Sequence, residues 1–332
     1  MSTLLLNKTD IQKLITYKEV VEACDKTFKG FGDNTTLNPP KVNLNLGDSS
    51  PYPPYNASMN AMPAYIGWQD MAGLKWAGGF GGKRIEMGLP FINALILLCE
   101  PDAGNFIAAM DGTYITNMRT GGQTAATLKY LFKDKKDLSI GLYGAGTQGR
   151  TQIMAISEVF DIKELKVYDI VNTTAYKYKE EMKSYVNGDI VVCENPEEAA
   201  DCDVVISVTL AKDGFIKHEW LKPGTVYFAM GSYQECDYDV ILQADKIIVD
   251  HVEQCLHRGA LRELVIKGKI TEENIYCTIG DLAIERNKVE NLKNERIICV
   301  PIGTGAMDVA IAGIVYKKAL SLNMGTEFSF DL

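Results

Sequence analysis

The chain has 332 residues, of which 46% are hydrophobic, and its formal net charge is −9. This length is enough for two domains with sizeable cores. The acidic balance and the absence of a Lys/Arg-rich stretch argue against nucleic-acid binding. The first residues lack the basic region of a signal peptide, and the most apolar run, 89–99, is too short to cross a membrane, so no membrane segment is predicted.

The eight cysteines include no C-x-x-C pair, and several lie in strand-like runs such as 297–300. This pattern is typical of buried, reduced thiols and predicts a cytoplasmic protein. The three histidines, His218, His251 and His257, do not have the spacing of a metal motif. We therefore predict no metal site.

The first part of the chain is predicted to be mostly β, with helices at its borders. A strand and then a helix are expected in 4–30, with Thr16 as the helix cap. Alternating polar and apolar residues over 41–46 indicate a half-buried strand, and 48–57 is predicted as a loop. Further strands are predicted at 62–67, 72–77, 91–99 and 104–110, and a long helix at 114–132.

From residue 138 onward, strand and helix patterns alternate, which is typical of a doubly wound parallel sheet. The predicted strands are 138–143, 164–169, 189–193, 203–209, 225–230, 246–250 and 296–301. The predicted helices are 173–185, 196–200, 253–264 and a segment around 282. The final stretch, 304–320, is an apolar-rich helix that we expect to return to the first domain. The fold class is thus predicted as α/β, with a Rossmann-type sheet and a second, mostly β domain.

Gly144, Gly146 and Gly149 have the G-x-G-x-x-G spacing between a predicted strand and a predicted helix. The first glycine permits the tight turn, the second lets the backbone approach a pyrophosphate, and the third lets helix and strand pack closely. Free N–H groups at the helix N-terminus then bind the phosphates. The sequence therefore predicts a dinucleotide site, the alternative being an ordinary strand-turn-helix unit.

Asp169 ends the next predicted strand, where this fold needs a carboxylate for the adenosine ribose. A carboxylate there would repel a 2′-phosphate, and the segment 169–174 contains no arginine. We therefore predict NAD rather than NADP as the cofactor. The alternative is that Asp169 is a solvated turn residue.

Lys75 and Arg119 are cations in mostly apolar surroundings. Lys75 lies in a strand pattern beside the glycine-rich run 78–82, and Arg119 lies in a helix among small residues. A cation in such a setting needs an anionic partner or ligand. Both residues are able to hold a substrate carboxylate, Arg119 by a bidentate fork and Lys75 as a point charge. Spacing alone leaves two alternatives open, a buried ion pair and a surface group.

Specific motifs follow one another along nearly the whole chain. They are Leu74-Lys75-Trp76, Gly88-Leu89-Pro90, Asp111-Gly112-Thr113 continuing to Arg119-Thr120-Gly121, the glycine turn 144–150 with Gln148 inside it, and Gly305-Ala306-Met307-Asp308-Val309-Ala310. Together they resemble the ornithine cyclodeaminase/mu-crystallin family. The resemblance implies a homodimer. Each protomer would have a substrate-binding and dimerisation domain built from both chain ends, 1–122 with 305–332, and a central NAD-binding Rossmann domain, 123–304.

The resemblance also assigns site residues. Lys75 and Arg119 match the substrate-contacting Lys and Arg of the family, and Lys41 falls where many members have another carboxylate-binding Arg. The expected cofactor contacts are Gly144, Gly146, Thr147, Gln148, Gly149, Asp169, Thr209, Gly231, Arg119 and Thr120.

One position departs from the family pattern. Tyr233 stands where cyclodeaminases have an Asp that serves the substrate amine, and a phenol with a pKa of about 10 is a poor base at neutral pH. Glu235 or Asp237 is either a shifted substitute for this Asp or a solvated loop acid. The candidate catalytic residues are therefore Lys75, Tyr233 and Glu235, and ornithine cyclisation is in doubt.

The expected function is an NAD-dependent oxidoreductase that acts on an α-amino or α-imino acid by hydride transfer at Cα. It would be an amino-acid dehydrogenase or a ketimine reductase. One alternative is an NAD-dependent cyclodeaminase that releases ammonia. A further alternative is a non-catalytic dinucleotide-binding protein.

Overall fold

The structure is a computed structural model that describes residues 2–47, 55–231 and 234–330. The chain divides into two compact units. The terminal unit comprises Met1–Arg119 with Thr304–Leu332, and the central unit comprises Thr120–Gly303. Both ends of the chain therefore contribute to one unit.

The strands are numbered in chain order. Those of the terminal unit are β1 Ser2–Leu6, β2 Thr36–Leu37, β3 Val42–Asn45, β4 Ala57–Ile66, β5 Met71–Phe80, β6 Ile92–Cys99, β7 Phe106–Asp111 and, after the central unit, β16 Thr326–Ser329. Those of the central unit are β8 Asp137–Tyr143, β9 Asp161–Tyr168, β10 Asp189–Val192, β11 Val204–Ser207, β12 Val226–Ala229, β13 Lys246–Val249, β14 Ile275–Thr278 and β15 Ile297–Val300.

The helices are numbered in the same way. They are α1 Lys8–Leu14, α2 Tyr17–Gly32, α3 Lys83–Glu86, α4 Gly112–Leu131, α5 Thr147–Ile156, α6 Asn172–Met182, α7 Tyr238–Leu242, α8 Val252–His257, α9 Arg262–Ile266, α10 Ile279–Ala283 and α11 Gly305–Ser321. The predicted cap of α2 is confirmed, because Thr16 Oγ1 accepts a hydrogen bond from Glu19 N. None of the helices in the described residues is both long and apolar enough to span a bilayer.

The terminal unit is built on a mostly antiparallel sheet with the order β16-β1-β7-β6-β5-β4-β2, in which β3 also pairs with β4. Alternation along β5 turns Lys75, 1% exposed, to one face and Trp76, 49% exposed, to the other. Helix α11 packs on β4, β5 and β6, as predicted for the final apolar helix. Lys75 therefore faces a helix that comes from the opposite end of the chain.

The central unit is a parallel sheet with the order β10-β9-β8-β11-β12-β15-β13-β14. The predicted doubly wound α/β class is thus confirmed. The chain leaves β8 toward β9 on one side and returns to β11 on the other, so the strand order reverses at this point. Ligands of such sheets bind at the carboxyl ends of the strands where this reversal occurs.

Several details differ from the predictions, among them three in the central unit. Strand β14 was missed, because its four residues lie at the sheet edge and are only partly buried, so they lack a continuous apolar run. The predicted helix 196–200 is a single 3-10 turn, Pro196–Ala199. The predicted helix 253–264 is broken between α8 and α9, where Gly259 has a φ of +65°. Most of the predicted loop 48–57 lies outside the described residues.

Candidate functional site

The glycine turn lies between β8 and α5. Gly144 has a φ of +100°, and a Cβ there would approach the carbonyl oxygen of Val208 to 2.8 Å. A Cβ on Gly149 would lie 2.3 Å from the carbonyl oxygen of Gly144. Gly146, by contrast, has an ordinary extended conformation, and a Cβ there would meet no atom within 4 Å. The fold therefore requires the first and third glycines, whereas the second leaves open space at the start of a helix, as a bound pyrophosphate needs.

Asp169 follows β9 and lies beside this turn. Its Oδ2 accepts a hydrogen bond from Ala145 N at 2.8 Å, and its Oδ1 accepts one from Val171 N at 2.9 Å. Each carboxylate oxygen has a second lone pair, so Asp169 is still able to accept hydrogen bonds from ribose hydroxyls. The carboxylate predicted to bind the adenosine ribose is thus fixed at the glycine turn.

Arg150 also holds the turn, a role that the sequence analysis did not assign. One guanidinium nitrogen donates to the carbonyl oxygens of Ala145 at 2.6 Å and Gly146 at 3.0 Å. Its Nε donates to Glu181 of α6 at 2.6 Å. The signal in the sequence was a cation directly after the third glycine.

The other expected cofactor contacts in the central unit lie near the ends of strands or at the start of helices. Thr147 and Gln148 open α5, and Gln148 accepts a hydrogen bond from Thr151 Oγ1 through its backbone carbonyl at 2.9 Å. The Thr120 carbonyl accepts a hydrogen bond from Gln152 Nε2 at 3.1 Å. Thr209 follows β11, and Gly231 follows β12.

Glu235 forms hydrogen bonds with both Thr209 and Gly231, and it is only 1% exposed. Its carboxylate accepts hydrogen bonds from Thr209 N at 2.6 Å, Thr209 Oγ1 at 2.7 Å, Ser207 Oγ at 2.8 Å and Gly231 N at 2.9 Å. Burial raises its pKa, and these hydrogen bonds oppose the rise. The structure therefore places Glu235 among protein donors and not in solvent, contrary to the solvated-acid alternative. Tyr233, the other predicted catalytic residue in this segment, lies outside the described residues.

The terminal unit brings Lys75 and Arg119 together on a carboxylate, Asp308. Lys75 Nζ forms an ion pair with Asp308 Oδ2, and Arg119 Nε lies 3.5 Å from Asp308 Oδ1. Thr116 Oγ1, one turn before Arg119 on α4, donates to Asp308 Oδ1 at 3.2 Å. Asp308 is fully buried on α11. Strand β5 and helices α4 and α11 thus converge on one buried carboxylate that carries two cations.

The Lys75 ammonium has an unusual environment. Burial is the main cause that lowers its pKa to about 7. Asp308 opposes this shift, and charge repulsion from Arg119 and Lys41 contributes to it. An amine with this pKa exists in both protonation states near neutral pH. Lys41 stands just before β3, and its charge reaches Lys75, consistent with the group of cations that the resemblance implied.

Asp308 is the residue of this candidate site that the sequence analysis did not single out. It appeared only as part of the closing motif. The available signal was a single acid in the otherwise apolar helix 304–320, because a buried carboxylate needs a cationic or hydrogen-bonding partner. Its partners Lys75 and Arg119 are distant in sequence, so spacing did not identify them.

The cysteines and possible metal ligands add no further site. All eight cysteines are free thiols, and all but Cys99 are buried. Among residues 2–47, 55–231 and 234–330, no group of three or more His, Cys, Asp or Glu side chains is arranged to hold a metal ion.

Comparisons of the sequence and of the structure with known proteins identify related proteins. Residues 1–323 match the sequence profile of the ornithine cyclodeaminase/mu-crystallin family. Alanine dehydrogenase of Archaeoglobus fulgidus is 34% identical over 334 residues, which covers 99% of each chain. An archaeal alanine dehydrogenase dimer with bound NAD has a TM-score of 0.91, with 99% of this chain and 100% of that chain covered, at 34% identity. The Δ1-pyrroline-2-carboxylate reductase of Thermococcus litoralis, in complex with NADH and L-proline, has a TM-score of 0.89 at 30% identity, with 98% of this chain and 99% of that chain covered.

The glycine turn makes a paired prediction. Gly146→Ala should leave the free energy of unfolding within about 0.5 kcal/mol of wild type, because the new methyl group meets open space. It should raise the Kd for NADH about tenfold or more, because the methyl group would occupy the pyrophosphate position. Gly149→Ala should instead destabilise the fold by about 1–3 kcal/mol, because its Cβ meets backbone. Urea denaturation and NADH fluorescence titration measure the two effects, and unchanged NADH binding by Gly146→Ala would contradict the assignment.

Two substitutions in the cation cluster should shift the pKa of Lys75 in opposite directions. Asp308→Asn removes the charge that raises the Lys75 pKa, so that pKa should fall below its wild-type value of about 7. Arg119→Gln removes a repelling charge, so the pKa should rise. The measurement is the titration of the Lys75 amine by NMR of lysine-labelled protein, assigned with Lys75→Met. Shifts in the same direction in both variants would refute this electrostatic account.

Proposed function

This chain belongs to the ornithine cyclodeaminase/mu-crystallin family, and from that premise we propose that it is an NAD-dependent oxidoreductase of a small α-amino or α-imino acid. The observation that carries the proposal is the buried cluster of Lys75, Arg119 and Asp308. Two cations share one carboxylate there, and Lys41 adds a third charge nearby. A buried excess of positive charge favours an anionic ligand, and the α-carboxylate of an amino acid supplies one.

The second support is the fit of the central unit to a dinucleotide. The open position at Gly146 and the N-terminus of α5 suit the pyrophosphate, and Asp169 suits the adenosine ribose. The carboxylate at Asp169 favours NAD over NADP. When bound, NAD would supply the hydride acceptor for the Cα–H of the substrate.

Lys75 is the group that we assign to proton transfer. An amino acid has to lose a proton from its ammonium group before Cα is oxidised, and Lys75 Nζ is partly neutral near pH 7, so it is able to accept that proton. Arg119 would hold the carboxylate in a fixed orientation. In the dehydrogenase direction, an amino acid, NAD⁺ and water give a keto acid, ammonium, NADH and one proton. Reduction of an imino acid runs the hydride step in reverse.

Similarity to an alanine dehydrogenase along the full chain supports the dehydrogenase over the cyclodeaminase alternative. The tyrosine at the position of the cyclodeaminase Asp supports the same choice. We therefore propose L-alanine as the first substrate to test, with the imine accepted by the Thermococcus litoralis reductase as the second.

We also propose that the protein is a cytoplasmic homodimer. The exposed face of the terminal sheet carries a row of directly paired residues, Val42, Ala61, Trp76 and Leu95, across β3 to β6. Three of these four are large apolar side chains that are substantially exposed. An apolar row of this kind is typical of a protein interface, and the archaeal alanine dehydrogenase is described as a dimer. Eight free cysteines support a reducing compartment.

The activity is tested with NAD⁺ and L-alanine, other small amino acids and L-ornithine, followed by NADH absorbance and mass identification of products. We expect NADH to accumulate together with a keto acid and ammonia. Lys75→Met and Arg119→Lys should each lower kcat/KM about 100-fold or more, because they remove the proton acceptor and the planar fork. Lys183→Ala, an exposed lysine after α6, is the control and should behave as wild type.

Two results would overturn the proposal. A cyclic product from L-ornithine, with ammonia release and no net NADH, would establish the cyclodeaminase. NADH binding without turnover of any amino acid, or of 1-pyrroline-2-carboxylate with NADH, would establish a non-catalytic dinucleotide-binding protein.

The dimer is tested by sedimentation velocity. Trp76→Glu and Leu95→Glu should shift the protein toward the monomer, because each buries a charge in the proposed apolar interface. Ile266→Glu, at an exposed position of α9, is the matched control and should leave the assembly unchanged. A wild-type monomer at micromolar concentration, or dimers of unchanged stability in both sheet variants, would contradict this use of the face.

A further inference from the structure

The buried carboxylate of Glu235 is surrounded by hydrogen-bond donors, unlike an acid in a solvent-exposed loop. Its two oxygens accept four hydrogen bonds, two of them from backbone N–H groups, at Thr209 and Gly231. A carboxylate in this setting is held by charge-assisted hydrogen bonds, which are stronger than neutral ones. The side chain therefore connects the loop after β11 to the loop after β12.

A chain of hydroxyl groups leads to the same carboxylate. Ser207 Oγ donates its only proton to Glu235, so at its 2.8 Å contact with Tyr227 OH it has to be the acceptor. Tyr227, fully buried in β12, is therefore the donor to Ser207. All of these donors point toward Glu235, which fits an ionised carboxylate and leaves both its oxygens occupied.

The residues that Glu235 holds lie against the glycine turn. Strands β8, β11 and β12 are consecutive neighbours in the parallel sheet, so their carboxyl ends share one edge. A Cβ placed on Gly144 would lie 2.8 Å from Val208 O and 3.3 Å from Thr209 Cγ2. Val208 N also donates to Tyr143 O at 2.9 Å, just before the turn. Movement of Thr209 would therefore disturb the space next to Gly144.

A dinucleotide binds across the point where the strand order reverses, with one mononucleotide half on each side. Asp169 places the adenosine half on the β9 side of β8, so the other half falls on the β11 and β12 side. We propose that Glu235 is a positioning residue for this second half. Its carboxylate fixes the loops at Thr209 and Gly231 as the surface on which the nicotinamide half rests.

This inference rests on the proposed function and changes one part of the sequence prediction. Glu235 was expected as a catalytic residue that replaces the missing Asp. Its four donors and its burial instead assign it to the cofactor surface, through Thr209 and Gly231. Proton transfer then stays with Lys75 in the terminal unit.

The test is Glu235→Gln. An amide has one acceptor oxygen, and its NH₂ group would face donors that already point inward, so at least two hydrogen bonds are lost. We expect the Kd for NADH and the KM for NAD⁺ to rise about tenfold or more. The KM for the amino acid and the kcat at saturating NAD⁺ should change less than about threefold, because the substitution leaves the proposed amino-acid site at Lys75 and Arg119 unchanged.

Glu198→Gln is the matched control. Glu198 also accepts a backbone N–H, from Glu194 at 3.1 Å, and it lies in an exposed turn. The control should keep wild-type cofactor constants. If Glu235→Gln does not fold, Ser207→Ala replaces it as the test, since it removes one donor to Glu235 at a buried residue that is not an expected cofactor contact, and it should raise the NADH Kd several-fold.

The outcomes separate this inference from the proposed function. Wild-type protein that fails to bind NADH would refute the dinucleotide site itself. Wild-type protein that turns over a substrate, with a Glu235→Gln variant that keeps its NADH Kd, would refute only the positioning role. A Glu235→Gln variant that loses kcat at saturating NAD⁺ with an unchanged Kd would restore Glu235 as a catalytic residue.

Discussion

The terminal unit depends on one buried carboxylate. Asp308 comes from the last long helix, Lys75 from a central strand and Thr116 and Arg119 from the helix α4, so a single ionic cluster joins both ends of the chain. A buried ion pair often contributes little net stability, since desolvation of the charges offsets their attraction. A hydrophobic replacement would serve the fold about as well, so stability alone does not explain two cations on one acid, and the cluster fits the proposed binding of a carboxylate. Removal of either partner would still be costly, because it leaves a buried charge without compensation.

The predictable parts of this protein are those determined locally. The glycine turn was identified from spacing, because the positive φ of Gly144 and the close approach at Gly149 impose the residue type directly. The parallel sheet was predicted from the alternation of strand and helix patterns, and its strands β11, β12 and β15 are buried along their whole length and form short apolar runs. Strand β14 escaped because an edge strand lacks that run. In each case, the prediction succeeded where consecutive residues carry the pattern of the element, and it failed where they do not.

The site could be predicted only in part, because its contacts join distant positions. Thr116 and Asp308 are 192 positions apart, and no periodicity reports such a pairing. Lys75 and Arg119 were singled out because a cation in apolar sequence is conspicuous, but their shared anion was not. Glu235 had the opposite problem. An acid in a polar loop looks solvated in sequence, and only the fold shows that Ser207, Thr209 and Gly231 surround it.

Three carboxylates show how environment divides their roles. Asp169 accepts two backbone hydrogen bonds at a half-buried position and has acceptor capacity left for hydroxyl groups. Glu235 is filled by four protein donors and has none to spare, so it is suited to hold loops in place. Asp308 is paired with two cations, and when Lys75 is protonated their combined charge exceeds its own, which supports the proposed binding of an anion. Since the residue types are nearly the same, the difference lies in whether the partners satisfy the charge, leave it accessible or exceed it. The proposed ligand site lies where that balance is incomplete, at Lys75 and Arg119.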